Sequence, residues 1–124
     1  MVKQDIQTLD DIKLLVDQFY SKVRDNDLIG PIFDGVIKDK WPEHLEKMYR
    51  FWETILLGNN TYSGRPFPPH AHLPVTQEHF DQWKALFFMT VDELYQGEVA
   101  DMAKWRATKI AEVFQAKISY FQNQ

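Results

Sequence analysis

At 124 residues the chain is long enough for one hydrophobic core and too short for two ordinary ones, so a single domain over residues 1–124 is expected. Its formal charge of −4 and pI near 5.5 exclude the clustered Lys and Arg of a polyanion-binding surface, and nucleic acid with it. With no cysteine, a disulfide framework, thiolate metal ligation and a Cys nucleophile are excluded as well.

The start, "MVKQDIQTLDD", lacks the apolar core of a secretion signal, and no later apolar run approaches the roughly 18 residues a spanning helix needs. A soluble, cytoplasmic, monomeric protein without a membrane partner is the expectation. Then Leu9, Ile12, Leu15, Val16, Phe19, Tyr20 and Val23 recur at spacings of three and four, which predicts an amphipathic helix. Thr8 is its expected N-cap, with Asp10 and Asp11 in the first turn where the helix dipole favours acids.

"NDLIGPIFDGV" follows, and Gly30-Pro31 predicts a break, with Ile29, Ile32 and Phe33 forming a tight corner that ends in a buried Phe. From Asp39 the helical pattern resumes: Trp41, His44, Leu45, Met48, Phe51, Trp52, Ile55 and Leu56 share a face, Pro42 is tolerable in the first turn, and Gly58-Asn59-Asn60 ends it. Residues 58–75 carry no long helix or alternating strand, and a connector of that length is uncommon unless it is functional or disordered. Thr76 caps a further helix bearing Phe80, Trp83, Phe87, Val91 and Leu94. Gly97 separates it from a last one whose stripe reads Val99, Met102, Arg106, Ile110, Val113, Phe114 and Ile118. No repeat or strand is legible, and the expected class is all-α.

Aromatic residues make up 15% of the chain, more ring surface than a small helical core needs, which leaves part of it to face a flat ligand. His44 sits on the apolar face of its helix, Tyr20 at the inner edge of the first stripe, and Trp83 on the core face of the helix after the connector. Each taken singly reads as a core residue whose polar atom finds a partner. Together, a hydroxyl, an imidazole and an indole N–H can converge on one polar spot in an apolar cavity.

"GRPFPPHAHLP" holds His70 between Pro69 and Pro74, which limits His70 to Leu73 to about one helical turn. A stiff strap suits a metal ligand, because orientation is settled before binding. An exposed histidine in a proline-rich loop is the slightly better reading of that stretch alone. His70 and His72, with Glu78 and His79, could also form a zinc or iron site, although residues two apart in a helical turn point to different sides. His79, in the opening turn of its helix, is expected to be exposed or capping. No Gly-rich phosphate loop, G-x-S-x-G or H-E-x-x-H motif occurs, and no inward acid pair suggests acid–base work.

Tyr20 in "QFYSKVR", Phe33 in "GPIF", His44 in "WPEHLEKM", then "FWETILLG", "GRPFPPHAHLP" and "HFDQW" occur in order over residues 8–121. In this the chain resembles the group III truncated haemoglobins, as does its lack of Gly-Gly pairs at helix junctions. The resemblance implies a two-over-two helical sandwich around one haem b. It implies His70 as the proximal iron ligand, Tyr20, His44 and Trp83 around a bound diatomic gas, and Phe33 against the macrocycle, with Met48, four residues after His44, sharing that distal face as a further haem-binding residue. Arg65, Lys47 and Arg50 are candidate partners of the haem propionates by position, with plain surface charge the stronger reading of each; His72 has no role to carry over. Binding or transport of oxygen, and binding of nitric oxide or carbon monoxide, are the expected functions. Nitric oxide dioxygenase or peroxidase-like turnover and an unidentified reductase partner extend that reading. The rivals are the zinc or iron protein using the loop histidines and a helical interaction module without cofactor.

Overall fold

The structure, a computed structural model, describes residues 3–59 and 75–122. It consists of α1 (Leu9–Asp25), α2 (Gly30–Ile37), α3 (Trp41–Leu57), α4 (Gln77–Leu94) and α5 (Glu98–Gln122), with no strand among the described residues. The expected all-α class is what forms.

The start of α1 follows from three side chains. The Asp11 carboxylate accepts from the Gln7 and Thr8 N–H groups at 2.8 and 3.1 Å, and Thr8 Oγ1 accepts from the Asp11 N–H at 3.2 Å, a reciprocal capping box. The helix then buries Ile12, Leu15, Val16, Phe19, Tyr20 and Val23, the stripe that its spacing predicts.

The corner expected at Ile29 to Phe33 is instead the helix α2. The turning is done earlier, by Asn26, whose side-chain oxygen accepts from the Leu28 and Ile29 N–H groups at 3.0 Å each. Pro31 then falls in the first turn of α2, where its missing N–H costs nothing. Phe33 is half-buried, not buried. Gly30 makes the junction feasible, since a Cβ there would stand 2.9 Å from the carbonyl oxygens of both Val23 and Arg24. Only bare backbone lets α2 begin against the end of α1.

The α2–α3 corner is a four-residue turn in which the Lys40 N–H reaches the Ile37 carbonyl at 3.0 Å. Gly58, left-handed at φ 76°, ends α3 where expected. At the start of α4, the Thr76 N–H donates to Nδ1 of His79 at 3.0 Å, so His79 caps as its position suggested.

The inner face of α5 differs from the expected stripe. Ala100, Ala103, Ala107, Ala111 and Ile118 are buried, whereas Met102 and Val113 are 45% and 47% exposed and Arg106 is exposed. Small side chains three and four apart make up most of the buried face of α5, whose main neighbour is α4, while Met102, Trp105 and Val113 fall on the exposed side. The other main pairing sets α1 on α3, and α1 also crosses α4. The shared core holds Ile12, Leu15, Val16 and Phe19 of α1 against Phe87 and Val91 of α4. Tyr95, just past α4, donates its hydroxyl to the Asp11 carbonyl at 2.8 Å.

Candidate functional site

All five helices leave one apolar cavity between them, of about 270 Å³ on the walls that the described residues supply. Phe19 and Tyr20 enter it from α1, Ile29 and Ile32 to Phe33 from the α2 start, and His44, Met48, Phe51 and Trp52 from α3. Val75, His79, Phe80 and Trp83 close it from the α4 side, and Ile110, Ala111, Phe114 and Ile118 from α5. Tyr20, Phe33, His44, Met48 and Trp83, five of the site residues expected from sequence, therefore face one space. His70, the expected iron ligand, lies outside the described residues, as do His72 and Arg65.

A lattice of rings holds the polar members in place. Tyr20 meets His44 edge to face, centroids 5.2 Å apart at 86°, and meets Phe33 at 6.0 Å. Trp83 stands edge-on to Phe19 at 5.7 Å and stacks on Phe87 at 6.0 Å, and Phe87 in turn stacks on Trp52 at 5.0 Å. Such pairs stabilise by about 0.5–1.5 kcal/mol each beyond the area they bury. The Tyr20 phenol, protonated at neutral pH in any setting, is pushed still further above its ordinary range by burial and can act as a donor.

Arg50, named above for the propionates, is turned to carboxylates near it on α3. Its Nε donates to Glu46 at 3.0 Å and a terminal nitrogen to the buried Glu53 at 3.2 Å. Glu53 also accepts from the Asn59 amide at 3.3 Å, which ties the chain beyond α3 back to the helix. The zinc or iron alternative rests partly on His70 and His72, outside the described residues. Within them no group of three His, Asp or Glu side chains could hold a metal ion, and His79 spends Nδ1 on its cap.

The walls are what sequence reasoning missed. Phe51, Trp52, Phe80, Ile110, Phe114 and Ile118 sat in helical stripes with nothing to separate cavity from core. Only their excess of rings hinted at a flat guest. The donor set fits such a guest. Aliphatic and aromatic walls suit the faces of a tetrapyrrole, and the three polar groups converge from α1, α3 and α4.

Residues 5–116 match the family model of the bacterial-like globins. The chain is 38% identical over 108 residues to group 3 truncated hemoglobin ctb of Campylobacter jejuni, covering 84% of this chain and 85% of that protein. It is 35% identical over 71 residues to group 1 truncated hemoglobin GlbN of a Nostoc species, covering 56% and 58%. The crystal structure of a group III truncated hemoglobin from Campylobacter jejuni aligns at a TM-score of 0.85 with 35% identity, over 94% of this chain and 95% of that one. Fold, chain order and cavity thus agree with a match that runs almost end to end, and the chain belongs to the bacterial-like globins, among their group III truncated haemoglobins.

Proposed function

We propose that this chain holds one haem b in the apolar cavity and binds small diatomic gases, oxygen, nitric oxide or carbon monoxide, on the side of Tyr20, His44 and Trp83. The observation that carries the reading is the convergence of those three polar side chains, from three helices, on a space otherwise walled by aliphatic and aromatic groups. The relatives' names, truncated hemoglobins, support it.

Haem iron supplies the position at which a gas is held, and on this reading His70 is its protein ligand. Phe33 and Met48 pack against the macrocycle. The Tyr20 phenol and the Trp83 indole offer O–H and N–H donors to the guest. Such donors act most strongly on a partly anionic guest where water is excluded.

An absorption spectrum of the purified protein tests the reading: a Soret band that moves on adding carbon monoxide is expected. Its absence after haem is supplied would overturn haem binding. Tyr20→Phe and Trp83→Phe each remove one donor, and loss of a hydrogen bond to a charged partner, about 1.5–3 kcal/mol, should raise the oxygen dissociation rate roughly tenfold or more. Off-rates unchanged in both variants would remove these residues from the gas site. His70→Gly should lose the iron ligand, with recovery on adding imidazole.

A further inference from the structure

Trp41 opens α3 with its ring turned inward, 6% exposed, yet it does not line the cavity. It is the common neighbour of Tyr20 and His44, which do. Its centroid lies 5.7 Å from Tyr20 at 64° and 5.7 Å from His44 at 88°, while those two are 5.2 Å apart at 86°. Three rings meeting pairwise edge to face form a closed triangle in which no ring turns without displacing the others.

The outer side of Trp41 is fastened by two further helices. Its indole N–H donates to Asp34 Oδ1 of α2 at 3.1 Å, and Nε of Arg24 on α1 lies 3.7 Å from the same oxygen. The Arg24 guanidinium also sits over the indole face, 4.5 Å from its centroid. A hydrogen bond to a carboxylate and a cation on the ring leave the indole one orientation, and α1, α2 and α3 are joined through it.

We propose that Trp41 is the positioning residue of the gas side of the pocket: locked by Asp34 and Arg24, it fixes how the Tyr20 hydroxyl and the His44 imidazole are presented to the cavity. The proposal rests on the gas-binding reading above for its purpose, though not for its geometry. Asp34 is half-exposed and does not line the cavity, and its side-chain partners are Trp41 and Arg24, so removing its carboxylate acts on the triangle through the lock. Hydrogen bonds weaken steeply with misalignment, so a small rotation of the triangle matters to a guest.

The test uses Asp34→Ala, with Trp41→Phe as a second variant that keeps a ring but loses the indole donor. NMR of the purified protein, in its ferrous carbon monoxide form where haem is bound, reads the His44 and Tyr20 ring signals. The carbon monoxide stretching band reads the polarity around the gas. Both variants should shift or broaden those ring signals, split or move the stretching band, and raise the oxygen off-rate roughly three- to tenfold, the effect of weakening one hydrogen bond. Val91→Ala, a core truncation elsewhere, should lower the melting temperature and leave the ring signals in place. Ring signals and stretching band at their original positions in Asp34→Ala would overturn the proposal. A protein that takes up no haem would overturn the gas-binding reading alone, since the ring signals still decide whether Asp34 governs the triangle through Trp41.

Discussion

Lys38 holds the most strained backbone among the described residues, with φ 57° and ψ −117°. As the second residue of the Ile37–Lys40 turn it occupies the position where a type II′ turn calls for glycine. The side chain is exposed and appears in no ion pair, so nothing about lysine offsets the strain. Lys38→Gly should therefore stabilise the fold by about 1 kcal/mol, read as a higher urea midpoint. An unchanged or lower midpoint would show that the turn is held for another reason. Spacing could not reveal this strain, because lysine in a polar corner looks ordinary. By contrast Tyr20, His44 and Trp83 were legible as inward polar residues, since three- and four-residue periodicity fixes which face a side chain takes. Arg50 contacts Glu46 and Glu53 on its own helix, pairings that sequence position alone leaves open.

Among the elements, α1, α3 and α4 were legible because large apolar residues mark their buried faces. α5 was half-legible: Ile110, Phe114 and Ile118 do face inward, but Met102 and Val113 do not. Alanine contributes little to a hydrophobic stripe, yet Ala100, Ala103, Ala107 and Ala111 are buried on α5, whose main neighbour is α4. Ala107 is fully buried, so Ala107→Leu should force the two helices apart and destabilise by about 1–3 kcal/mol, visible as a lower denaturant midpoint. Met102→Ala, on the exposed side, should change it by less than about 0.5 kcal/mol. Equal effects at the two positions would contradict the orientation of α5. Gly-Pro in sequence predicts a corner because the pair usually ends structure; here Asn26 has already made the turn, and the same pair begins α2 instead.

For the molecule as a whole, the N-terminal segment acts as a clasp on the last helix. The Asp5 carboxylate accepts from the Val99 and Ala100 N–H groups at 2.9 and 2.8 Å, and the Gln96 N–H donates to the Gln4 carbonyl at 3.0 Å. Burial pushes the Asp5 pKa upward, but the N–H groups of Val99, Ala100 and Ile6 outweigh it and hold the carboxyl below its ordinary 3.8. A carboxylate with a depressed folded pKa contributes stability that is present above the unfolded value and lost as pH falls through the folded one. Asp5→Asn should thus lower the urea midpoint at pH 7, and the difference from the parent should shrink below about pH 4. A difference that stays constant down to pH 2 would mean that the charge is not what holds the clasp. The overall order of helices was readable from stripes and breakers, and the resemblance supplied the architecture. The cavity's polar members are legible as inward residues, but its walls are not, because they are drawn from the same kinds of residue as the core.

Gly35 stands next to the lock on Trp41, and a Cβ at that position would meet nothing within 4 Å. Since the chain contains no cysteine, a thiol introduced there would be the only one in the molecule. A spin or fluorescent label on Gly35→Cys would then have a single attachment point, one residue from Asp34 and clear of the cavity lining. The same open surface that makes α2 a poor contributor to the core makes it a vantage point from which motion of Trp41, Tyr20 and His44 can be followed without disturbing it.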